Sequence, residues 1–305
     1  MVLRIVPTVA FPTVQDAIDA SSSGDSIKIL TGKFDGFEVT IDNLKIFGCG
    51  IGRTIIEGAP AQGSNNGVVV SGDRTILQGF TVQGFEDDGI EIFSDNNVVK
   101  NIESKFNLGP TGSGFAIVTN SNLIVNCIAS FNNRGFDITG QHNCIQKNNS
   151  FQNLDSGYII LNRNNILNKN LAKNNEVGFL IITDFNNLFT NSVLNNKSNG
   201  IQLTTTADNN NIIVNILCNN EGNGIFLNGS PEQNVIDSNI VRNNGTANTN
   251  AGILIQNGAF DNTIRFNKAR NNVEFDIEAE PGAEPPNNTF DGNKCGNSSP
   301  PGLCT

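Results

Sequence analysis

The sequence predicts an all-β solenoid, a single-stranded parallel β-helix of about ten to twelve coils, on three observations. A Gly followed by alternating apolar residues recurs as GVVV at 67, GIEI at 89, GFAI at 114, GFDI at 135, GYII at 157, GFLI at 178, GIQL at 200, GIFL at 224 and GILI at 252. The spacing is mostly 21 to 25 residues. Between these segments Asn returns in steps of five, as at Asn143, Asn148 and Asn153, then Asn165, Asn170 and Asn175, then Asn186, Asn191 and Asn196. Only 16 % of the residues are charged and 31 are Gly, yet 37 % are hydrophobic, too many for a disordered chain. Short strands of period two, separated by single special residues and repeated about every 22 positions, describe one coil with three strands.

The chain reads as one domain over 1–305, with an N-terminal cap and first strand at 1–35. In FPTVQDAIDASSSGDSIKIL, Val14, Ala17 and Ile18 fall at helical spacing, which predicts a short amphipathic helix over the open end of the first coil. The coils occupy 36–280. Residues one and three places after each Gly, such as Phe115 and Ile117 or Tyr158 and Ile160, form the two inward columns. Phe115, Phe136, Tyr158 and Phe179 then stack as core, the only Tyr among them. Asn165, Asn170, Asn175, Asn191, Asn215 and Asn239 are read as corner residues, because Asn tolerates the left-handed region and its amide can bond its copy one coil away, about 4.8 Å off. The Gly-less EFDI at 274 is read in the same frame, with Asp276 facing outward.

The tail at 281–305 carries Cys295 and Cys304 around a Pro/Gly loop, a possible disulfide. Cys49, Cys127, Cys144 and Cys218 sit singly in apolar patterns as small hydrophobes, and no Cys or His spacing suggests a metal site. A net charge of −10 argues against nucleic acid. No apolar run suits membrane insertion, and the first twenty residues lack a signal-peptide pattern.

These features resemble the pectin-lyase-like superfamily of right-handed parallel β-helices, and most closely the NosD-like repeat proteins. The resemblance rests on the entry FPTVQDAIDASSSGDSIKILTGKF, the segment LKIFGCGIGRTIIEG and the Gly-plus-Asn coils, and covers nearly the whole chain. It implies the fold and leaves activity open, since members include hydrolases, lyases, epimerases, esterases and chains with no catalysis. In such helices the outward column of the first sheet forms the substrate groove.

Here that column places Glu91 and Asp137 two coils apart, a spacing compatible with a pair of catalytic carboxyls. Asp88 and Arg134 join them as catalytic candidates, with Asp87, Lys105, His142 and Phe226 as substrate-binding candidates. No cofactor is implied, except Ca2+ if the chemistry is that of a lyase, in which case Arg134 or Lys105 would take the proton. FEDDGIEI looks like the paired-Asp strand of polygalacturonases, but SNNGVVV and GSGFAI lack that site's further Asp and His. RGFDI is similar to the alginate-epimerase strand and would carry Asp137 over, yet Arg134 stands where that strand has Tyr, and Ile138 and Thr139 replace its Pro-His. SGDRTILQGFTVQGFEDDG faintly resembles pectin methylesterases without their second acid and Arg. His142, the single His, is read as a corner residue beside a ladder Asn.

Farther along the outward column, Ile159, Leu180, Phe226 and Leu254 predict an exposed apolar stripe suited to homo-oligomer formation. The sequence alone therefore favours a non-catalytic, rigid surface scaffold or glycan-binding protein that self-associates. The alternative is a polysaccharide-processing enzyme, a glycoside hydrolase, lyase or epimerase acting in the groove. Either reading expects an extracellular or cell- or spore-surface location and a polysaccharide or surface glycan as partner.

Overall fold

In a computed structural model, which describes residues 1–246 and 250–305, the chain falls into two compact units, Met1–Leu154 and Asp155–Thr305. Each is a right-handed parallel β-helix, and successive strands pass in turn to three parallel sheets. One sheet has seven strands in the first unit and six in the second, so the described residues make about thirteen turns. The repeat count had predicted ten to twelve. The additional turns lie ahead of the first counted repeat, at Leu3–Val6, Ser26–Ile29 and Lys45–Phe47, strands that no Asn directly precedes.

The predicted helix spans Val14–Asp19 and buries Val14, Ala17 and Ile18. Thr13 caps it in a reciprocal box with Asp16, whose carboxylate accepts from the Thr13 N–H at 3.0 Å while Thr13 Oγ1 accepts from the Asp16 N–H at 3.1 Å. The inward columns are fully buried, and the aromatics stack in pairs: Phe115 on Phe136 at 4.8 Å in the first unit, Tyr158 on Phe179 at 4.5 Å in the second. The Gly before each strand of this sheet answers to space. A Cβ on Gly89 would collide with Ser104 Oγ and Asn107 Nδ2.

The ladder Asn residues are buried, but the left-handed conformation belongs to the residue before each one. Lys169, Thr190, Val214 and Ser238 have φ of 57°, 57°, 57° and 56°, and each precedes a ladder Asn. The turn leaves the next backbone N–H pointing along the helix axis, where the neighbouring Asn can meet it. Thus Asn170 N donates to Asn191 Oδ1, Asn191 N to Asn215 Oδ1 and Asn215 N to Asn239 Oδ1, at 2.9, 2.9 and 2.8 Å. Asn165 N and Asn175 N donate likewise to Asn186 and Asn196. The amide therefore satisfies both its own polar atoms and the main chain of the adjoining turn, as burial requires.

Two further readings change. The strand in this stretch is Ile277–Ala279, with Leu254 opposite Glu278, so Asp276 is not an outward residue. It is buried, and its Oδ1 accepts from Asn272 N and Nδ2, ending the ladder that runs through Asn244. The apolar stripe is not continuously exposed either. Ile159 and Leu254 are 4 % and 7 % exposed, and only Leu180 and Phe226 are partly open. Side chains stacked one strand apart shield each other, as Phe226 and Glu278 do on either side of Leu254. At the tail, Cys295 and Cys304 are joined as a disulfide.

Candidate functional site

The strands Ile90–Ile92, Ser113–Ile117 and Arg134–Ile138 of the first unit lie side by side, with Glu91 opposite Ala116 and Ala116 opposite Asp137. Two strand steps of about 4.8 Å separate the backbones of the two acids. Ala116 between them is too small to fill its rung, so a cleft of about 210 Å³ opens there, lined by these three residues with Asp88, Thr111 and Arg134. Asp87, Ser113, Val118 and Thr139 complete its walls.

Asp88 occupies a corner before Gly89, in the column that Asn66 and Ser113 continue. Its N–H donates to Asn66 Oδ1 at 2.8 Å, and its Oδ1 accepts from Ser113 N at 2.7 Å. In the second unit Asn199 and Asn223 do the same work at the same corner, Asn223 N donating to Asn199 Oδ1 at 2.8 Å. Asp88 is thus a ladder position in which an acid replaces the amide. It is 9 % exposed, and burial first, then the charges of Asp87 and Asp137, push its carboxyl up to about 7 despite the Ser113 hydrogen bond.

Glu91 is half-buried and accepts a hydrogen bond from Asn66 Nδ2. Its carboxyl too is pushed up to about 7, chiefly by burial and then by the charges of Asp88 and Asp87. Asp137, 9 % exposed, is ion-paired to Arg134, whose Nη1 donates to Oδ2 at 2.8 Å. Thr111 Oγ1 donates to Asp87 Oδ1 at 3.0 Å. The site therefore joins two acids that can carry a proton near neutral pH to a third held by a guanidinium.

Of the residues singled out in the sequence, Glu91, Asp137, Asp88, Arg134 and Asp87 come together. Lys105 does not: it lies on another sheet and pairs with Glu103 at 2.8 Å. His142 is an exposed corner residue with φ 57° and lines no part of the cleft. Phe226 belongs to the second unit and does not line it either. Asn66 and Ala116 were missed as site residues. Their signal was positional, Asn66 preceding Gly67 as Asp88 precedes Gly89, and Ala116 falling between two acids in one outward column.

A larger cleft of about 590 Å³ lies beside the helix and includes Gln15, Lys33, Asp35 and Glu57. There Lys33 pairs with Glu57 at 2.6 Å, and the hydrogen bonds from Lys33 and then Gln83 hold the Glu57 carboxyl below its usual range.

The profile of the family described as periplasmic copper-binding protein (NosD) matches residues 64–236 and, in an overlapping match, 112–298. The chain belongs to the NosD family. No curated protein matches it. Among solved structures, the A-module of a mannuronan C-5 epimerase from Azotobacter vinelandii superposes with a TM-score of 0.76 at 14 % identity, covering 93 % of this chain and 88 % of that one. A mannuronic acid specific family 6 polysaccharide lyase from human gut microbiota gives 0.66 at 10 % identity, over 97 % and 87 %. The Dettilon tailspike protein gives 0.51 at 13 % identity, over 87 % and 66 %. At such identities the shared property is the fold.

The family description raises copper, which draws on His, Cys and Met. The residues present do not fit it. The single His is exposed at a corner, the single Met is Met1, Cys295 and Cys304 are joined, Cys218 is buried, Cys127 is buried with its thiol pushed up to about 12, and Cys49 and Cys144 are half-buried single thiols. Among the described residues no three His, Cys, Asp or Glu side chains converge as a metal site.

Proposed function

We propose that this chain is a carbohydrate-active enzyme that hydrolyses a glycosidic bond in the cleft of Glu91, Asp88, Asp137 and Arg134. The observation that carries the reading is the pairing, across the gap at Ala116, of a carboxyl raised to about 7 with an ion-paired carboxylate. Glu91 protonates the leaving oxygen. Asp137, two strand steps away, takes a proton from the water that attacks the opposite face of the sugar, and Arg134 fixes the orientation of that carboxylate. Two strand steps put the two backbones about 9.6 Å apart, near the upper end of the about 6.5–9.5 Å that separates the carboxyl groups in inverting hydrolysis. The polysaccharide-related names of the structural neighbours support a glycan as substrate. The Cys295–Cys304 disulfide and the family's periplasmic description support a location outside the cytoplasm.

The test is turnover of a glycan panel by the wild type and by Glu91→Gln and Asp137→Asn. Each variant is expected to lose about 100-fold or more in kcat, the usual weight of a general acid or base. Because Glu91 must hold its proton, activity should fall as pH rises through about 7. Turnover that survives both substitutions would remove the assignment.

A second reading, a non-catalytic glycan-binding scaffold, draws on Asp88, which bonds the main chain as a ladder Asn does. It expects wild type without turnover on any glycan that it binds.

A further inference from the structure

Resting on the reading of this cleft as a glycan site, we infer that the sugar it seats carries a protonated amine. The substrate class is a deacetylated amino-sugar polymer. The reasoning starts from the balance of charge. Asp87, Asp88, Glu91 and Asp137 face the cleft, and Arg134 is its one basic residue among those described. Arg134 is engaged with Asp137 at 2.8 Å, so Asp87, Asp88 and Glu91 have no cation to answer them within the cleft. The same outward column adds another acid, Glu38, opposite Val69, which lies opposite Glu91.

A uronate placed here would find no free guanidinium or ammonium to accept its own charge, would be repelled by Asp87, and would hold Asp88 and Glu91, already raised to about 7, in their neutral form. A neutral sugar would leave the mutual repulsion of these acids in place, the repulsion that already helps to raise Asp88 and Glu91. An ammonium group would relieve it and supply the donors that the carboxylate oxygens can accept. The mannuronan named for the structural neighbours is thus the wrong sign of polymer for this groove.

The experiment is calorimetric titration of the whole chain with three sets of oligosaccharides matched in length: β-1,4-linked glucosamine, β-1,4-linked glucose, and mannuronate with and without calcium. Glucosamine oligomers are expected to bind about tenfold tighter than the glucose series, and mannuronate more weakly than either. The advantage should shrink between about 0.03 and 0.3 M salt, where screening shortens from about 18 Å to about 6 Å. The double variant Asp88→Asn with Glu91→Gln should bring the glucosamine affinity down to that of the glucose series measured on the same variant. Equal binding of the glucosamine and glucose series by the wild type, or tighter binding of mannuronate under either calcium condition, would overturn the inference. If the wild type turns over a neutral glycan in a Glu91-dependent way without preferring amines, the proposed activity stands and this inference falls. If none of the three series binds, this inference falls, and the proposed activity is decided by the glycan panel.

Discussion

Asp88 concentrates the tension between shape and chemistry in one side chain. At that corner the second unit uses Asn199 and Asn223, so an amide would serve the main chain equally well, yet an acid is present whose carboxyl is raised from 3.8 to about 7. Between those two values the folded chain holds a proton that the unfolded chain has released. Stability from this group is accordingly full below about pH 4, declines as pH rises, and levels off above about 7. At about 1.4 kcal/mol per pH unit the loss is capped at about 4 kcal/mol. Asp88→Asn keeps the acceptor for Ser113 N and cannot ionise. It is expected to raise stability by about 1–2 kcal/mol at pH 8 and by little at pH 4, read from urea unfolding at the two values. An equal gain at both would show that ionisation is not the cause. Glu91 and Asp137 were legible in the sequence because the Gly alignment fixes register, and register fixes which residues share a column. Lys105 and His142 were misplaced because nearness along a coil does not say which face of the helix a residue occupies.

Along the turns, the step of five between Asn residues was legible, but the conformation was assigned to the wrong neighbour. The left-handed position favours Asn, as at Asn174, Asn195, Asn219 and Asn243, but also carries Lys169, Phe185, Val214 or Gln233, so its pattern is looser than that of the buried position. The buried position is stricter, because few other side chains can accept from one main chain while donating to another. Asn191 shows the requirement. It accepts from Asn170 N at 2.9 Å and donates to Leu167 O and Asn215 Oδ1, both at 3.0 Å. Asn191→Ala would strip these buried partners at once, and is expected to cost about 2–4 kcal/mol, with Asn211→Ala, half-buried on a strand, costing less than about 1 kcal/mol. Denaturant unfolding of the two variants measures the difference. A similar small cost for both would mean that water replaces the ladder bonds without loss.

Across the whole molecule, the family description and the chain's own donor set point in different directions. The repeat that defines the family supplies turns, and a turn built from Gly, Asn and aliphatic residues has no affinity for copper by itself. Any copper site would have to be added by His, Cys or Met at decorated positions. In this chain those residues are few and, among the described residues, do not converge: His142 stands at an exposed corner, Cys127 and Cys218 are buried, Cys49 and Cys144 are half-buried, and Cys295 and Cys304 form a disulfide. A ligand that binds the folded state at 100 times its Kd stabilises it by about 2.7 kcal/mol, which in a domain of 150–250 residues raises the melting point by about 5–10 °C. Thermal melts with and without a tenfold excess of Cu(I) or Cu(II) are therefore expected to superpose within about 1 °C. A copper-dependent rise of several degrees that His142→Ala or Cys127→Ser abolishes would place a metal site in this chain, and would return it to the description its family carries.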